Sequence, residues 1–342
     1  MIQVVRIEEA VGYPLAHDIT EIRAGEFKGP AFLKGHTLTC RDLDHLRRLG
    51  KDHLYILKPE ESEMHEDDAA MAIANALCGE GVFWDEEPRE GKISLKATMD
   101  GLFTVDVDTL NRFNELGEVM CATRHTNTII KKGEQVAATR AIPLLIAGKI
   151  VNRAVATAKE AREGVLRVKP MMSAYAGVMI TGNEVYHGRI QDKFEPIIRD
   201  KVADLGGEVM DVVFLPDDDT MIAEAANKMV AQGANVIITT GGMSVDPDDR
   251  TRFGLKRAGA EDIVYGTPVL PGAMFMISYL KDVPVLGIPA CGLFASITMF
   301  DLIYPRVLAG EKITRKEIAA TGHGGLCLKC KHCTFPRCSF GK

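Results

Sequence analysis

Residues 235–249 read NVIITTGGMSVDPDD, and this stretch decides how the rest of the chain is interpreted. It opens with a run of β-branched apolar residues at 236–238, which is typical of a central strand buried on both faces. Gly241 and Gly242 then permit positive φ and let a ligand approach the backbone closely. The polar side chains that follow are Ser244, Asp246, Asp248 and Asp249. The stretch therefore predicts a ligand or metal site at the end of a strand.

The composition excludes several classes of protein. Of the 342 residues, 46% are hydrophobic, which is enough apolar material for more than one globular core. The net charge of −6 argues against a nucleic-acid backbone as the main partner, because binding to phosphates needs an excess of Lys and Arg. The first residues alternate and carry charge, and no apolar run reaches membrane-spanning length. We therefore expect a cytoplasmic protein with neither nucleic-acid nor membrane partners.

Predicted strands and helices alternate regularly in the second half of the chain. The predicted strands are 176–180, 208–215, 236–238, 263–269 and 283–288, and the predicted helices are 190–205, 221–232, 251–258 and 293–308. Alternation of this length predicts an α/β domain with a doubly wound, mostly parallel sheet. Since parallel strands end at one edge of the sheet, their polar turns should converge there.

The first half of the chain lacks this alternation, and we predict four segments in the whole chain. An N-terminal α+β region covers 1–80, a β-rich region ending in a long helix covers 81–172, the α/β domain covers 173–312, and a cysteine-rich tail covers 313–342. The long helix is predicted at 144–161, between a proline and a glycine.

The strand-end turns of the α/β domain offer groups for an anion and for a cation. Glycine N–H groups and the hydroxyl of Thr181 suit a phosphate. Carboxylates at Glu184 and Asp249 would repel a bare phosphate, which indicates a bridging divalent cation such as Mg²⁺. The sequence contains no P-loop, no dinucleotide fingerprint, no nucleophile elbow and no zinc-protease motif. The chemistry predicted from the residues is metal-assisted transfer, metal-assisted hydrolysis, or binding alone.

The order of the motifs resembles one known family. A TGNE turn after the first strand, TTGGMSV followed by an aspartate, a PG turn and a glycine–proline strand end are similar to the molybdopterin-binding domain of the molybdopterin molybdenumtransferases. These are the molybdenum insertases of the MoeA and gephyrin type. The resemblance covers about residues 174–310, and a short bacterial branch with a cysteine-rich tail is similar to the whole chain. In that family, an adenylylated molybdopterin receives molybdate with the help of Mg²⁺.

The resemblance implies roles for individual residues. Asp249 matches an aspartate near the metal or molybdate, and we expect it to be catalytic together with Glu184. The implied cofactor-binding residues are Thr181, Gly182, Asn183, Gly241, Gly242, Ser244, Asp246, Pro271, Gly272 and Pro289. The chain departs from the family at Asp246, where glycine is usual, and at Cys291, where a thiol replaces polar atoms. The family further implies molybdate as a ligand, a homodimer, and molybdoenzymes or cofactor-assembly proteins as partners.

Two other functions stay open on the sequence alone. The same fold serves nucleotide pyrophosphatases similar to the competence-damage family. A non-enzymatic pterin carrier or metal-responsive regulator is the other alternative. We expect a transferase of molybdenum cofactor biosynthesis as the leading hypothesis.

Four of the eight cysteines fall together near the C-terminus. Cys327, Cys330, Cys333 and Cys338 have the spacing C-x₂-C-x₂-C-x₄-C. In a cytosolic protein, such a set is more typical of metal binding than of disulfides. A structural Zn²⁺ site, an iron–sulfur cluster and a flexible redox or metal-sensing tail all fit this spacing.

Overall fold

The computed structural model describes residues 2–23, 25–57, 62–243, 246–247 and 249–342. The chain divides into two compact units. The first comprises residues 1–124 and 130–168, and the second comprises residues 125–129 and 169–342. No helix in the described ranges combines the length and the apolar character needed to cross a bilayer.

The first unit is built from short strands and four helices within its described residues. The strands that lie wholly or partly in it are β1 (Ile2–Arg6), β2 (Ile19–Arg23), β3 (Phe27–Phe32), β4 (His53–Leu57), β5 (Glu63–His65), β6 (Val82–Phe83), β7 (Lys92–Ala97), β8 (Gly101–Val105), β9 (Val119–Thr123), β10 (Thr128–Ile130), β11 (Gln135–Ala141), β12 (Leu145–Ala147) and β13 (Leu166–Lys169). The helices are α1 (Leu43–Arg48), α2 (Glu66–Leu77), α3 (Val107–Asn114) and α4 (Gly148–Lys159).

Two apolar cores stabilise this unit. One lies under the antiparallel pairs β1–β4 and β2–β3, and the other lies between α2, α4 and the sheet β6-β7-β11-β9. The helix predicted from residue 144 begins only at Gly148. The three preceding residues pair with β5 as β12, so their backbone hydrogen bonds belong to a strand.

The second unit is an α/β domain followed by a short tail. Its strands are β14 (Tyr175–Thr181), β15 (Glu208–Leu215), β16 (Val236–Thr240), β17 (Glu261–Tyr265), β18 (Met276–Leu280) and β19 (Val283–Ile288). Its helices are α5 (Asn183–Tyr186), α6 (Phe194–Ala203), α7 (Asp219–Ala231), α8 (Thr251–Ala258), α9 (Met299–Leu308) and α10 (Arg315–Ala320), with a 3₁₀ turn at Ala290–Leu293.

These strands form one six-stranded sheet in the order β15-β14-β16-β19-β18-β17. The pairings from β15 to β19 are parallel and those of β18 are antiparallel, so the predicted α/β fold with a mostly parallel sheet is confirmed. Strand β18 is absent from the sequence prediction. It joins β19 through Lys281 and Asp282, which both have positive φ, as a two-residue hairpin turn requires. A Lys-Asp pair is an uncommon residue choice for that turn, so the local sequence does not indicate a hairpin here.

Helices cover both faces of the sheet. Helices α6, α9 and α10 pack on one face, and α7 and α8 pack on the other. The alternation is visible in β16, where Val236 and Ile238 enter the first core and Ile237 enters the second. This double covering leaves the strand ends as the accessible edge of the sheet.

Candidate functional site

A cavity of about 680 Å³, here called the rim pocket, lies at the carboxyl ends of β14, β16 and β19. The parallel register pairs Ile180 with Thr240 and Thr240 with Ile288, so the three strands end side by side. Its volume lies within the range of small-molecule sites, about 300–1,000 Å³.

The rim pocket gathers part of the predicted site. The predicted residues that line it are Thr181, Glu184, Gly241, Gly242, Asp249 and Pro289. Asp246 is exposed and lies outside the lining, and its backbone N–H donates to the carboxylate of Asp249 at 3.0 Å. Pro271 lines a different cavity. Ser244 lies outside the described residues.

Gly182 and Asn183 form the turn that supports the wall of the pocket. The N–H of Gly182 donates to the carbonyl of Leu215 at 3.0 Å. The N–H of Asn183 donates to the carboxylate of Asp217 at 3.0 Å. These bonds tie the end of β14 to the end of β15. Gly182 and Asn183 therefore hold the neighbouring lining residues in place and do not line the pocket themselves. Gly272 does not line the pocket either.

Buried threonine hydroxyls hold the floor of the pocket. The Thr181 hydroxyl lies 3.1 Å from the Thr240 carbonyl and 2.7 Å from the Thr251 hydroxyl, which lies 3.0 Å from the Gly241 carbonyl. The two hydroxyls have two protons for these three contacts, so two of the contacts are hydrogen bonds at any one time. Either hydroxyl can be the donor in the 2.7 Å contact, and each can instead donate to its carbonyl. The network fixes the glycine turn after β16 to the end of β14.

The backbone of Gly241 and Gly242 has positive φ, at +84° and +52°. A Cβ atom on Gly241 would meet the Thr181 carbonyl oxygen, and one on Gly242 would lie 2.6 Å from the Thr251 hydroxyl oxygen. Both positions therefore require glycine on steric grounds as well as for φ. The close neighbours at this glycine pair belong to the protein itself, and the approach of a ligand to this backbone stays a prediction.

The segment 190–194, which falls within the predicted helix 190–205, also lines the pocket. Helix α6 begins only at Phe194, after Asp192, whose carboxylate accepts the N–H groups of Phe194 at 3.0 Å and Glu195 at 2.8 Å. An aspartate placed two residues before a helical run is a helix-start signal, and it could have located this loop. Its Lys193 supplies a positive charge to the pocket.

The pocket has an apolar part and a polar part. The described apolar lining residues are Ile180, Val185, Ile190, Phe194, Met243, Met274, Ile288, Pro289, Ala290 and Leu293. Glu184, Asp192 and Asp249 supply three carboxylates against the one ammonium group of Lys193 among the described lining residues. The lining therefore favours a ligand with an apolar ring system, and its negative balance favours a cation near any anionic group of that ligand.

A second cavity, here called the cysteine cavity, has a volume of about 540 Å³. Its lining cysteines are Cys291, Cys327, Cys330, Cys333 and Cys338. Burial raises the pKa of the Cys291 thiol, and hydrogen bonding from the backbone of Cys291 itself and of Gly272 offsets part of that rise. In the described part of the chain, no three His, Cys, Asp or Glu side chains form a group that could hold a metal ion.

Comparison with known proteins shows which families the chain is similar to. Residues 177–309 match the family described as a probable molybdopterin binding domain, and residues 4–58 match a domain family of unknown function. A molybdopterin molybdenumtransferase of Haemophilus influenzae is 25% identical over 331 residues, which cover 91% of this chain and 74% of that protein. A CinA-like protein of Mycobacterium sp. (strain JLS) is 33% identical over 96 residues, 28% of this chain. The chain spans only 23% of the length of that CinA-like relative.

Solved structures give matches with low scores. The MoeA protein of Pyrococcus horikosii is 16% identical with a TM-score of 0.32, and the match covers 91% of this chain and 76% of that one. The CinA protein of Thermoplasma acidophilum is 16% identical with a TM-score of 0.35, over 40% of this chain and 99% of that one. The family model covers residues 177–309, from within β14 to the end of α9. This range includes the turn at Gly182 and the turn at Gly241 and Gly242. The α/β domain of this chain is therefore similar to the family described as a probable molybdopterin binding domain.

Proposed function

We propose that the chain binds molybdopterin, or its adenylylated form, in the rim pocket and assists the Mg²⁺-dependent insertion of molybdate. The observation that carries the proposal is the two-part lining of the pocket. Phe194, Met243 and their apolar neighbours suit a flat heteroaromatic ring. The glycine–threonine turns at the strand ends suit a phosphate. The family match and the name of the Haemophilus relative support the same ligand class.

The proposed Mg²⁺ follows from the charges at the pocket. A phosphorylated ligand and molybdate are anionic, and both would lie near the carboxylates of Glu184 and Asp249. A divalent cation between them turns this repulsion into attraction. Because the described side chains form no ready three-ligand metal site, phosphate oxygens and water would supply the remaining coordination, as is usual for Mg²⁺.

The direct test is release of AMP. The purified chain is incubated with adenylylated molybdopterin, Mg²⁺ and molybdate, and AMP is measured over time. Asp249→Asn is expected to lower the rate at least tenfold while pterin binding persists. Asp246→Asn is the matched control, because this exposed carboxylate lies outside the lining. Binding without AMP release in the wild-type chain would contradict insertion and support the carrier function.

The pyrophosphatase alternative has its own support in the 96-residue match to the CinA-like relative. It predicts Mg²⁺-dependent hydrolysis of ADP-ribose, lost in Asp249→Asn. Hydrolysis of ADP-ribose with no pterin binding would replace the leading proposal.

For the tail, we propose a metal bound by the four cysteine thiolates, as Zn²⁺ or an iron–sulfur cluster. The homodimer, the partner proteins and the cytoplasmic location stay predictions. Measuring the molar mass of the purified chain in solution tests whether it is a homodimer.

A further inference from the structure

The C-terminal tail is docked on the α/β domain. The N–H of Leu270 donates to the carbonyl of Gly325 at 2.8 Å, and the N–H of Cys327 donates to the carbonyl of Leu270 at 2.8 Å. Phe340, near the end of the chain, is buried in the core that contains α9. The tail therefore has a defined position on this domain.

Four large apolar side chains stay exposed where the tail meets the domain. Phe294 is 92% exposed, Leu328 is 75% exposed and Leu326 is 63% exposed, and all three line the cysteine cavity. Leu270 is also exposed, and it pairs with Leu326 in a parallel β-bridge, so these two residues are neighbours. Single exposed apolar residues are common on globular proteins, whereas several together mark a surface that another molecule covers. We call these four residues and the lining of the cysteine cavity the tail patch.

The tail patch is positively charged. Lys329 and Lys331 line the cysteine cavity with exposed side chains, and no Asp or Glu is found among its described lining residues. From residue 318 to residue 342 the sequence contains Lys329, Lys331, Arg337 and Lys342 and no Asp or Glu. The chain as a whole has a net charge of −6, so the tail forms a basic surface on an acidic protein.

The tail patch adjoins the rim pocket, which has the opposite charge. Phe294 directly follows the Ala290–Leu293 turn, and Ala290 and Leu293 line the rim pocket. The described lining of that pocket has three carboxylates and one ammonium group. A molecule that covers Phe294 therefore lies beside the rim pocket, and the positive charge that it meets belongs to the tail side.

Charge and shape decide among the classes of occupant. In a symmetric contact between two copies of this chain, the same patch lies on both sides, so the ammonium groups of Lys329 and Lys331 would face their own counterparts. A nucleic-acid backbone would be repelled by the net charge of −6, and leucine side chains offer no flat surface for stacking bases. An acidic protein segment with a bulky apolar side chain complements both the charge and the apolar groups.

We propose that the tail patch docks an acidic segment of another protein, with an apolar side chain of that segment in the cysteine cavity and its carboxylates beside Lys329 and Lys331. Phe294 and Leu328, the most exposed apolar residues of the patch, would lose most of their contact with water on docking. The proposal uses side chains other than the cysteine thiols. It therefore stands apart from the proposed tail metal and from the ligand of the rim pocket.

The docking surface is tested on the full chain with a defined probe. The probe is a fluorescent peptide in which a leucine and a phenylalanine stand between glutamates, and its binding is followed by fluorescence anisotropy. One control peptide has glutamines in place of the glutamates, and a second has alanines in place of the apolar pair. The probe is expected to bind at least about tenfold more tightly than either control, and its affinity should fall as salt is added.

Substitutions locate the binding site of the probe. Phe294→Ala and Lys331→Glu are each expected to weaken binding at least about tenfold. Ile22→Ala, at an exposed apolar residue of β2, and Lys228→Glu, at an exposed lysine of α7, are the matched controls and should leave affinity unchanged. Because all four side chains are exposed, the unfolding midpoints of the variants should match that of the wild type.

Three results would overturn the proposal. The first is the absence of probe binding, or equal probe affinity in the wild type and in Phe294→Ala. The second is a single-stranded DNA oligonucleotide that displaces the probe and binds more tightly, which would assign the surface to nucleic acid. The third is a dimer of the chain that excludes the probe and dissociates in Phe294→Ala, which would assign the surface to a second copy.

Discussion

The threonine network under the rim pocket gives a quantitative prediction. Replacing Thr181 by valine keeps the shape of this buried side chain and removes its hydroxyl. The variant loses the contacts to the Thr240 carbonyl and to the Thr251 hydroxyl. Thr239 is the matched control, because its hydroxyl is also buried in the same sheet and has no hydrogen-bond partner among the described residues.

The expected magnitudes follow from hydrogen-bond energetics. Each bond contributes about 1 kcal/mol net, and a buried oxygen left without a partner adds to the loss. Thr181→Val is therefore expected to lower the free energy of unfolding by about 2 kcal/mol, roughly thirtyfold in the folding equilibrium. Thr239→Val exchanges an unpaired buried hydroxyl for a methyl group. It should leave stability unchanged or raise it by up to about 1 kcal/mol.

The assay is urea unfolding of the wild type, Thr181→Val and Thr239→Val, with a signal from the second unit. The three curves are fitted with one common slope of unfolding free energy against urea concentration. Hydrogen exchange at Gly241 and Gly242 should become faster in Thr181→Val and stay unchanged in Thr239→Val, because only the former hydroxyl holds this turn. Equal destabilisation by the two substitutions would refute the reasoning, since it would mean that the hydroxyl bonds of Thr181 contribute nothing beyond its packing.

Three further predictions concern the backbone, the pH dependence and a helix start. Gly241→Ala should lower the free energy of unfolding in urea by more than about 3 kcal/mol, because the new methyl group would meet the Thr181 carbonyl. Gly233 also has positive φ, at +99°, but has open space around it, so Gly233→Ala should lower this free energy by only about 1 kcal/mol. Burial and the neighbouring carboxylate of Asp67 raise the pKa of Glu66 from 4.5 to about 7, so the folded state holds this proton more tightly than the unfolded state. Stability should therefore fall by up to about 3 kcal/mol as pH rises from about 4.5 to 7, and unfolding of Glu66→Gln across this range should show no such fall. Asp192→Ala removes the acceptor for the first N–H groups of α6 and should lower the free energy of unfolding, measured by thermal unfolding, by about 1 kcal/mol. The helix itself should remain, so circular dichroism of the folded variant should match that of the wild type.

Much of the α/β domain is readable from local sequence. The predicted strand at 208–215 and helix at 251–258 have the same bounds as β15 and α8. Their apolar periodicity and flanking turns are carried by consecutive residues, so no distant contact is needed to recognise them. The predicted helix starts at residue 190 because Ile190 and Phe194 are four residues apart, as on one face of a helix. Helix α6 begins only at Phe194, where the backbone N–H groups donate to Asp192.

The candidate site also has features that the local sequence determines and features that only the tertiary structure decides. The sequence alone determined that Thr181, Glu184, Gly241, Gly242 and Asp249 belong to strand ends, because strand-end turns are marked by glycine and polar residues next to buried runs. Tertiary structure decided which of these ends face one cavity, because strand order and register bring together residues that are far apart in the chain.

The stretch 235–249 thus specified a strand, a glycine turn and an acidic loop through local chemistry. Only the fold decided that Asp249 faces the rim pocket while Asp246 lies outside its lining, and that Cys291 shares a cavity with the tail. The physical reason is that backbone propensity and apolar period act between neighbours in sequence, whereas the direction of a side chain is set by the packing and hydrogen bonds of elements that the sequence keeps far apart.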